Sequence, residues 1–126
     1  VREEARQQEP SPQLRQRMRR LQQERAAGRM MRDVASASVV VVNPTHLAVA
    51  LAYHRRMRAP KVVAKGQRRM AERIVAAARQ AGVPVLQDIP LARALFTLVE
   101  VGGEVPVALY QAVARILAYV YGRRAE

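Results

Sequence analysis

The 126-residue sequence contains no cysteine and no tryptophan, a single phenylalanine, four tyrosines and two histidines. Without cysteine, disulfides, thiolate metal centres and cysteine nucleophiles are excluded outright. His46 and His54 stand far from any paired acidic cluster, so neither a metal site nor a cofactor site is expected. The acidic residues are scattered and no glycine-rich loop of the phosphate-cradling kind occurs, which leaves no constellation for an enzyme acting on external substrates. Aromatics make up 4% of a chain that is half hydrophobic, so a core must be assembled from Val, Leu, Ile, Ala and Met. No signal peptide and no apolar run long enough to span a bilayer are present. The sequence begins at Val1 and is read as a piece of a longer protein whose N-terminal part is missing. The lack of a span here therefore says nothing of the parent.

Acidic charge is also scarce, and the net charge is +12. The excess is uneven. Residues 1–33 carry nine arginines against five acids, whereas residues 54–73 carry eight basic residues against Glu72 alone. Such a surplus suits nucleic acid, an anionic membrane surface or an acidic protein partner. A nucleic-acid-binding module with residues 54–73 as its face is the alternative reading. Against it stand the lack of aromatics among the basic residues and of any known binding module.

Two units are expected: a linker arm over residues 1–37 and a compact domain over 38–126. Residues 1–12 are polar, with two prolines, and read as a flexible lead-in. From Gln13 to about Val34, Leu14, Met18, Leu21, Ala26 and Met30 form a thin apolar stripe among arginines, a long solvated helix that needs a partner at its N-terminal half. Val-rich runs at 38–43 and 47–53 read as two buried strands around a turn. A basic loop leads to a third strand at Lys61 to Ala64, stopped by Gly66 and showing one wet face through Lys61 and Lys65. Gln67 to Ala81 has helical periodicity, with Gly82 as C-terminal cap. A fourth strand follows at Val83 to Gln87. Asp88 caps a helix with Pro90 in its first turn and Leu91, Leu95 and Leu98 turned inward. After Gly102-Gly103, Pro106 opens a last helix with Leu109, Val113, Ile116, Leu117 and Val120 on its core face. The pattern predicts an α/β fold: a small mixed four-stranded sheet packed by about three helices, preceded by a long helical arm.

Between the first two strands lies Asn43-Pro44-Thr45-His46. The plain reading is that Asn-Pro starts a turn. The chemical reading begins from the missing proline N–H, which blocks the usual attack of the following backbone nitrogen on an Asn side chain. The remaining intramolecular route is attack by the Asn43 side-chain nitrogen on its own backbone carbonyl. That closes a succinimide and expels the Pro44 nitrogen, cutting the chain. An amide is a poor nucleophile, so the step needs enforced geometry and help with proton transfer. Proline biases Asn43 toward extended angles and favours the second turn position. His46 could return across the turn to move a proton, and Thr45 could hydrogen-bond the carbonyl or orient the amide.

Several stretches together resemble one family, the cytoplasmic domain of the FlhB/YscU proteins of type III secretion export gates. They are Val41 to His46 with Ala48 to Leu51, Ala59 to Gly66, Gly82-Val83-Pro84, Pro90 to Phe96, and Val105-Pro106 with Leu109 to Ala114. Arg29-Met30-Met31 in the arm also fits, and the likeness runs in order over about residues 11–121. It implies a domain hung from a membrane-embedded N-terminal half on the cytoplasmic side of the bacterial inner membrane. It further implies a cut between Asn43 and Pro44, with Thr45 and His46 shaping the site, and a switch in which export substrates are accepted. The implied partners are other export-gate membrane proteins, export substrates or chaperones, and a length-control protein. Glu100 to Pro106, followed by Tyr110 to Val113, leans flagellar rather than injectisome. Arg55, Arg56, Arg58, Lys61, Lys65, Arg68 and Arg69 follow the cleavable hairpin and are expected to share a face with it that contacts acidic partners rather than nucleic acid.

Overall fold

The structure, a computed structural model, describes residues 9–125. Helix α1 (Pro12–Val34) is followed by strands β1 (Val39–Asn43), β2 (Leu47–Ala52) and β3 (Lys61–Gln67). Helix α2 (Arg69–Gln80), strand β4 (Val85–Gln87) and helix α3 (Ile89–Leu98) come next. A 3-10 turn (Val107–Leu109) then leads into α4 (Tyr110–Ala125). The sheet order is β3-β2-β1-β4, antiparallel except for the parallel β1–β4 pair. The expected mixed four-stranded α/β architecture with its helical arm is the one observed.

The all-Val run of β1 is explained by its central place. A strand buried on both faces has no polar side to present. Val39 and Val41 pack with Leu91, Leu95, Val113 and Leu117 of α3 and α4, while Val40 and Val42 face the other layer with Ile74 and Ala78 of α2. Ala48, Ala50 and Ala64 line that second layer, where small side chains let α2 lie close on the sheet.

Several local expectations change. Strand β3 runs on to Gln67 rather than stopping at Gly66, because glycine there makes room: a Cβ would lie 2.3 Å from Met70 Cγ. The β2–β3 register shifts between Ala50 and Leu51. A bulge moves the side chains beyond it to the opposite face. Val62 accordingly joins the α3/α4 layer and Ala64 the α2 layer, so the strand lacks the single wet face read from its alternation. Leu98 is not inward but 64% exposed, since α3 ends there and Val99 takes the buried position.

Packing changes along the arm. Leu14, Met18 and Leu21 are exposed, whereas Met30, Met31 and Val34 pack into the α2 layer, Val34 fully buried. Of the polar lead-in, residues 1–8 lie outside the described residues. The caps at Asp88 and Gly82 are those expected: Asp88 Oδ1 accepts the Leu91 N–H, and Gly82 closes α2 with φ +76°. Ser11, in the stretch read as a flexible lead-in, instead caps α1, its Oγ accepting the Leu14 N–H.

Candidate functional site

Asn43 is the last residue of β1 and the one buried polar residue of the described core, 6% exposed. Its neighbours Val42 and Leu47 fix it on both sides, the latter as its partner across the hairpin. Pro44, Thr45 and His46 form an exposed turn closed by the His46 backbone N–H donating to the Asn43 carbonyl oxygen at 3.0 Å. All four predicted residues are thus brought together at one end of the sheet. His46 is linked to Asn43 through its backbone N–H.

Thr45 has φ +66°. Proline at the second turn position and positive φ at the third is the type II pattern, whose third position glycine normally fills. A β-branched residue there is strained, by roughly 1–2 kcal/mol. The cause is local. Hairpins prefer primed turns, which require positive φ at the second position, and proline cannot adopt it. The strain at Thr45 went unread because Thr45 carries no glycine or asparagine signature; the only clue was proline in so tight a hairpin.

One other non-glycine residue among those described has positive φ: Arg68, at φ +52° and ψ −115°. It touches the same turn, its N–H donating to the His46 carbonyl at 3.1 Å. Beside the turn opens a cleft of about 660 Å³ whose walls include Asn43, Pro44, Thr45, Glu72, Val75 and Arg79. Helix α2 therefore flanks the Asn43-Pro44-Thr45 segment.

The basic residues do not gather into one face. Ala52 pairs with Lys61 at one end of the β2–β3 ladder and Leu47 with Gln67 at the other. Arg55, Arg56, Arg58 and Lys61 consequently lie at the end of the sheet opposite the turn, on the order of 20 Å away at strand rise. Only Arg68 and Arg69 lie beside it. An antiparallel hairpin necessarily separates residues that precede and follow its return strand, which the linear sequence hides.

Two of the seven are occupied. Arg58 pairs with Glu104 through Nε and NH2. This hydrogen bonding holds the Glu104 carboxyl below, and the Arg58 guanidinium above, their ordinary ranges. Lys65, half-buried, donates its ammonium to the carbonyls of Phe96 and Val99 at 2.9 Å each and lies 5.0 Å from the Phe96 ring centroid. It caps the C-terminal end of α3 instead of facing a partner. A cation at helix-terminal carbonyls is stabilising, so Lys65→Met is expected to cost about 1–3 kcal/mol in denaturant unfolding. An unchanged midpoint would remove this role.

Among the described residues no group of three or more His, Cys, Asp or Glu could hold a metal ion. No described helix is long and apolar enough to cross a membrane.

A buried Asn at the end of a central strand, joined to proline in a strained turn, marks this α/β domain. The model of the FlhB, HrpN, YscU and SpaS family matches residues 1–120, and the chain belongs to that family. The flagellar biosynthetic protein FlhB of Yersinia enterocolitica is 48% identical over 122 residues, 96% of this chain and 32% of that protein. The secretion system apparatus protein SsaU of Salmonella typhimurium is 39% identical over 121 residues, 95% of this chain and 34% of that protein. The chain thus spans about a third of the length of these relatives. The crystal structure of the cytoplasmic domain of FlhB from Shewanella putrefaciens is similar at TM-score 0.72 and 41% identity, covering 76% of this chain and 78% of that one. A mutated EscU C-terminal domain is similar at TM-score 0.71 and 29% identity, covering 74% and 94%.

Proposed function

We propose that this chain is the cytoplasmic switch domain of a type III protein export gate, and that it cuts itself between Asn43 and Pro44. The observation that carries the reading is the His46 N–H on the Asn43 carbonyl, the atom pair on which the chemistry turns. In the step, Asn43 Nδ2 adds to the Asn43 carbonyl carbon, and the bond from that carbon to the Pro44 nitrogen breaks. One amide proton passes to the Pro44 nitrogen, which leaves as a secondary amine. Residue 43 remains as a five-membered succinimide that water then opens. The His46 N–H, at 3.0 Å from the oxygen, is placed to stabilise the charge that develops there. Thr45 and His46, both exposed in the turn, are the side chains placed to carry the proton. Turnover of external substrates is not part of the proposal; each chain reacts once.

FlhB relatives favour a flagellar apparatus over an injectisome, and the cut is proposed to accompany a change in which export substrates are accepted. The parent is proposed to sit in the bacterial inner membrane with this domain in the cytoplasm. There it meets other gate components, substrates or their chaperones, and a length-control protein. Purified chain run under denaturing conditions tests the chemistry: two fragments support it, and one intact band refutes it.

The loop arginines supply a separate surface. Arg55 and Arg56 are exposed at the far end of the sheet from the turn. Reversing both to Glu, with Arg58 kept for Glu104, is expected to leave self-cleavage intact and to reduce export in cells severalfold. Normal export by the double variant would show the patch to be a solvating surface only, and lost cleavage would tie it to the turn.

A further inference from the structure

Strain in a backbone persists only where the surrounding structure over-determines it, and it clusters at working sites. Among the described residues the two non-glycine residues with positive φ, Thr45 and Arg68, are joined through one residue, His46. Thr45 precedes His46, and the Arg68 N–H holds the His46 carbonyl at 3.1 Å. Arg68 is pinned on its other side as well, because its carbonyl accepts the Glu72 N–H at 3.0 Å in the first turn of α2. Its combination of φ +52° and ψ −115° is one that glycine adopts freely and a residue with a Cβ does not. Nothing in the capping of α2 requires a side chain here, since Arg68 makes no side-chain cap hydrogen bond.

We propose that Arg68 is a positioning residue for the cut at Asn43–Pro44: its strained backbone ties the turn to α2 and keeps the scissile link under strain. The proposal rests on the self-cleavage reading above. With the bond intact, the chain is held at both ends of the turn, by β1 through Asn43 and by α2 through Arg68. His46 is thereby fixed with its N–H on the carbonyl to be attacked. Breaking the bond frees the Pro44 end, and Thr45 and Arg68 relax together. Strain released along the reaction lowers its barrier, while strain that merely shapes a loop leaves the rate alone.

Glycine at position 68 keeps the N–H and removes the strain; alanine keeps both the N–H and the Cβ. The test is pulse-labelled cell-free synthesis of the 126-residue chain, chased and resolved by denaturing electrophoresis. Arg68→Ala is expected to cut up to about tenfold faster than Arg68→Gly, a ratio equivalent to about 1.4 kcal/mol. In an uncut Asn43→Ala background the order of stability should be the reverse, with Arg68→Gly melting several degrees above Arg68→Ala. Equal cutting rates for the two variants, or a faster glycine variant, overturn the proposal while leaving self-cleavage standing. A glycine variant that melts no higher than the alanine variant overturns it also, because the strain would then be absent. Wild-type chain that stays whole overturns the self-cleavage reading and this inference with it.

Discussion

Asn43→Ala is expected to leave the chain whole under denaturing conditions, where the unsubstituted chain gives fragments 1–43 and 44–126. The effect should be complete rather than partial, because the nucleophile is the side chain removed. No neighbouring amide can substitute, since the next nitrogen belongs to Pro44 and bears no hydrogen. Pro44→Ala should slow cutting without abolishing it: Asn43 keeps its nitrogen, but the turn loses the residue that excludes the primed conformations. Loss of geometry of this kind costs roughly one to two orders of magnitude in rate. Time courses of fragment appearance separate the two variants. An Asn43→Ala chain that still splits at residue 43 would sink the succinimide route.

The two pieces are expected to stay together after the cut, and the fold makes the reason specific. The N-terminal piece contributes β1, which is not an edge but lies between β2 and β4 with hydrogen bonds on both sides. Val39, Val40, Val41 and Val42 are all buried, divided between the two core layers. At roughly 1.5 kcal/mol or more for each buried Val, with Val34 and the bonds of a central strand added, separation in native buffer should be negligible. Gel filtration should show one species of uncut size, which denaturant resolves into two. Two native peaks would contradict the placement of β1. Held together in this way, the domain is expected to change only locally on cleavage: Pro44, Thr45 and His46 would gain a free end, and the cleft that Pro44 and Thr45 wall against α2 would be reshaped.

Much of the architecture was legible because it follows from periodicity and chain punctuation. The Val run, the turn between two apolar segments, the Asp88 cap and Gly82 each signal a local structure with a local cause. The misreadings share a different origin. Gly66 looked like a stop because its reason for being glycine, the Met70 side chain, is four residues away in a helix. Lys65 looked wet because a bulge in β3 changes which face it takes, and no residue type announces that bulge. Arg55, Arg56 and Arg58 looked adjacent to the Asn43-Pro44 turn because sequence order conceals the length of β2. At the turn, the sequence carries Asn43-Pro44-Thr45-His46 in plain view but not the backbone strain there. Thr45 and Arg68 are types that avoid positive φ, so propensity argues against the very angles they hold.

Intact mass of the purified, unsubstituted chain under denaturing conditions is the decisive measurement for self-cleavage. No species at the full 14.1 kDa is expected. Two masses are expected instead, the lighter ending at residue 43 as succinimide or its hydrolysed form and the heavier beginning at Pro44. A single mass at the full value, unchanged after prolonged incubation of the folded chain, would contradict it.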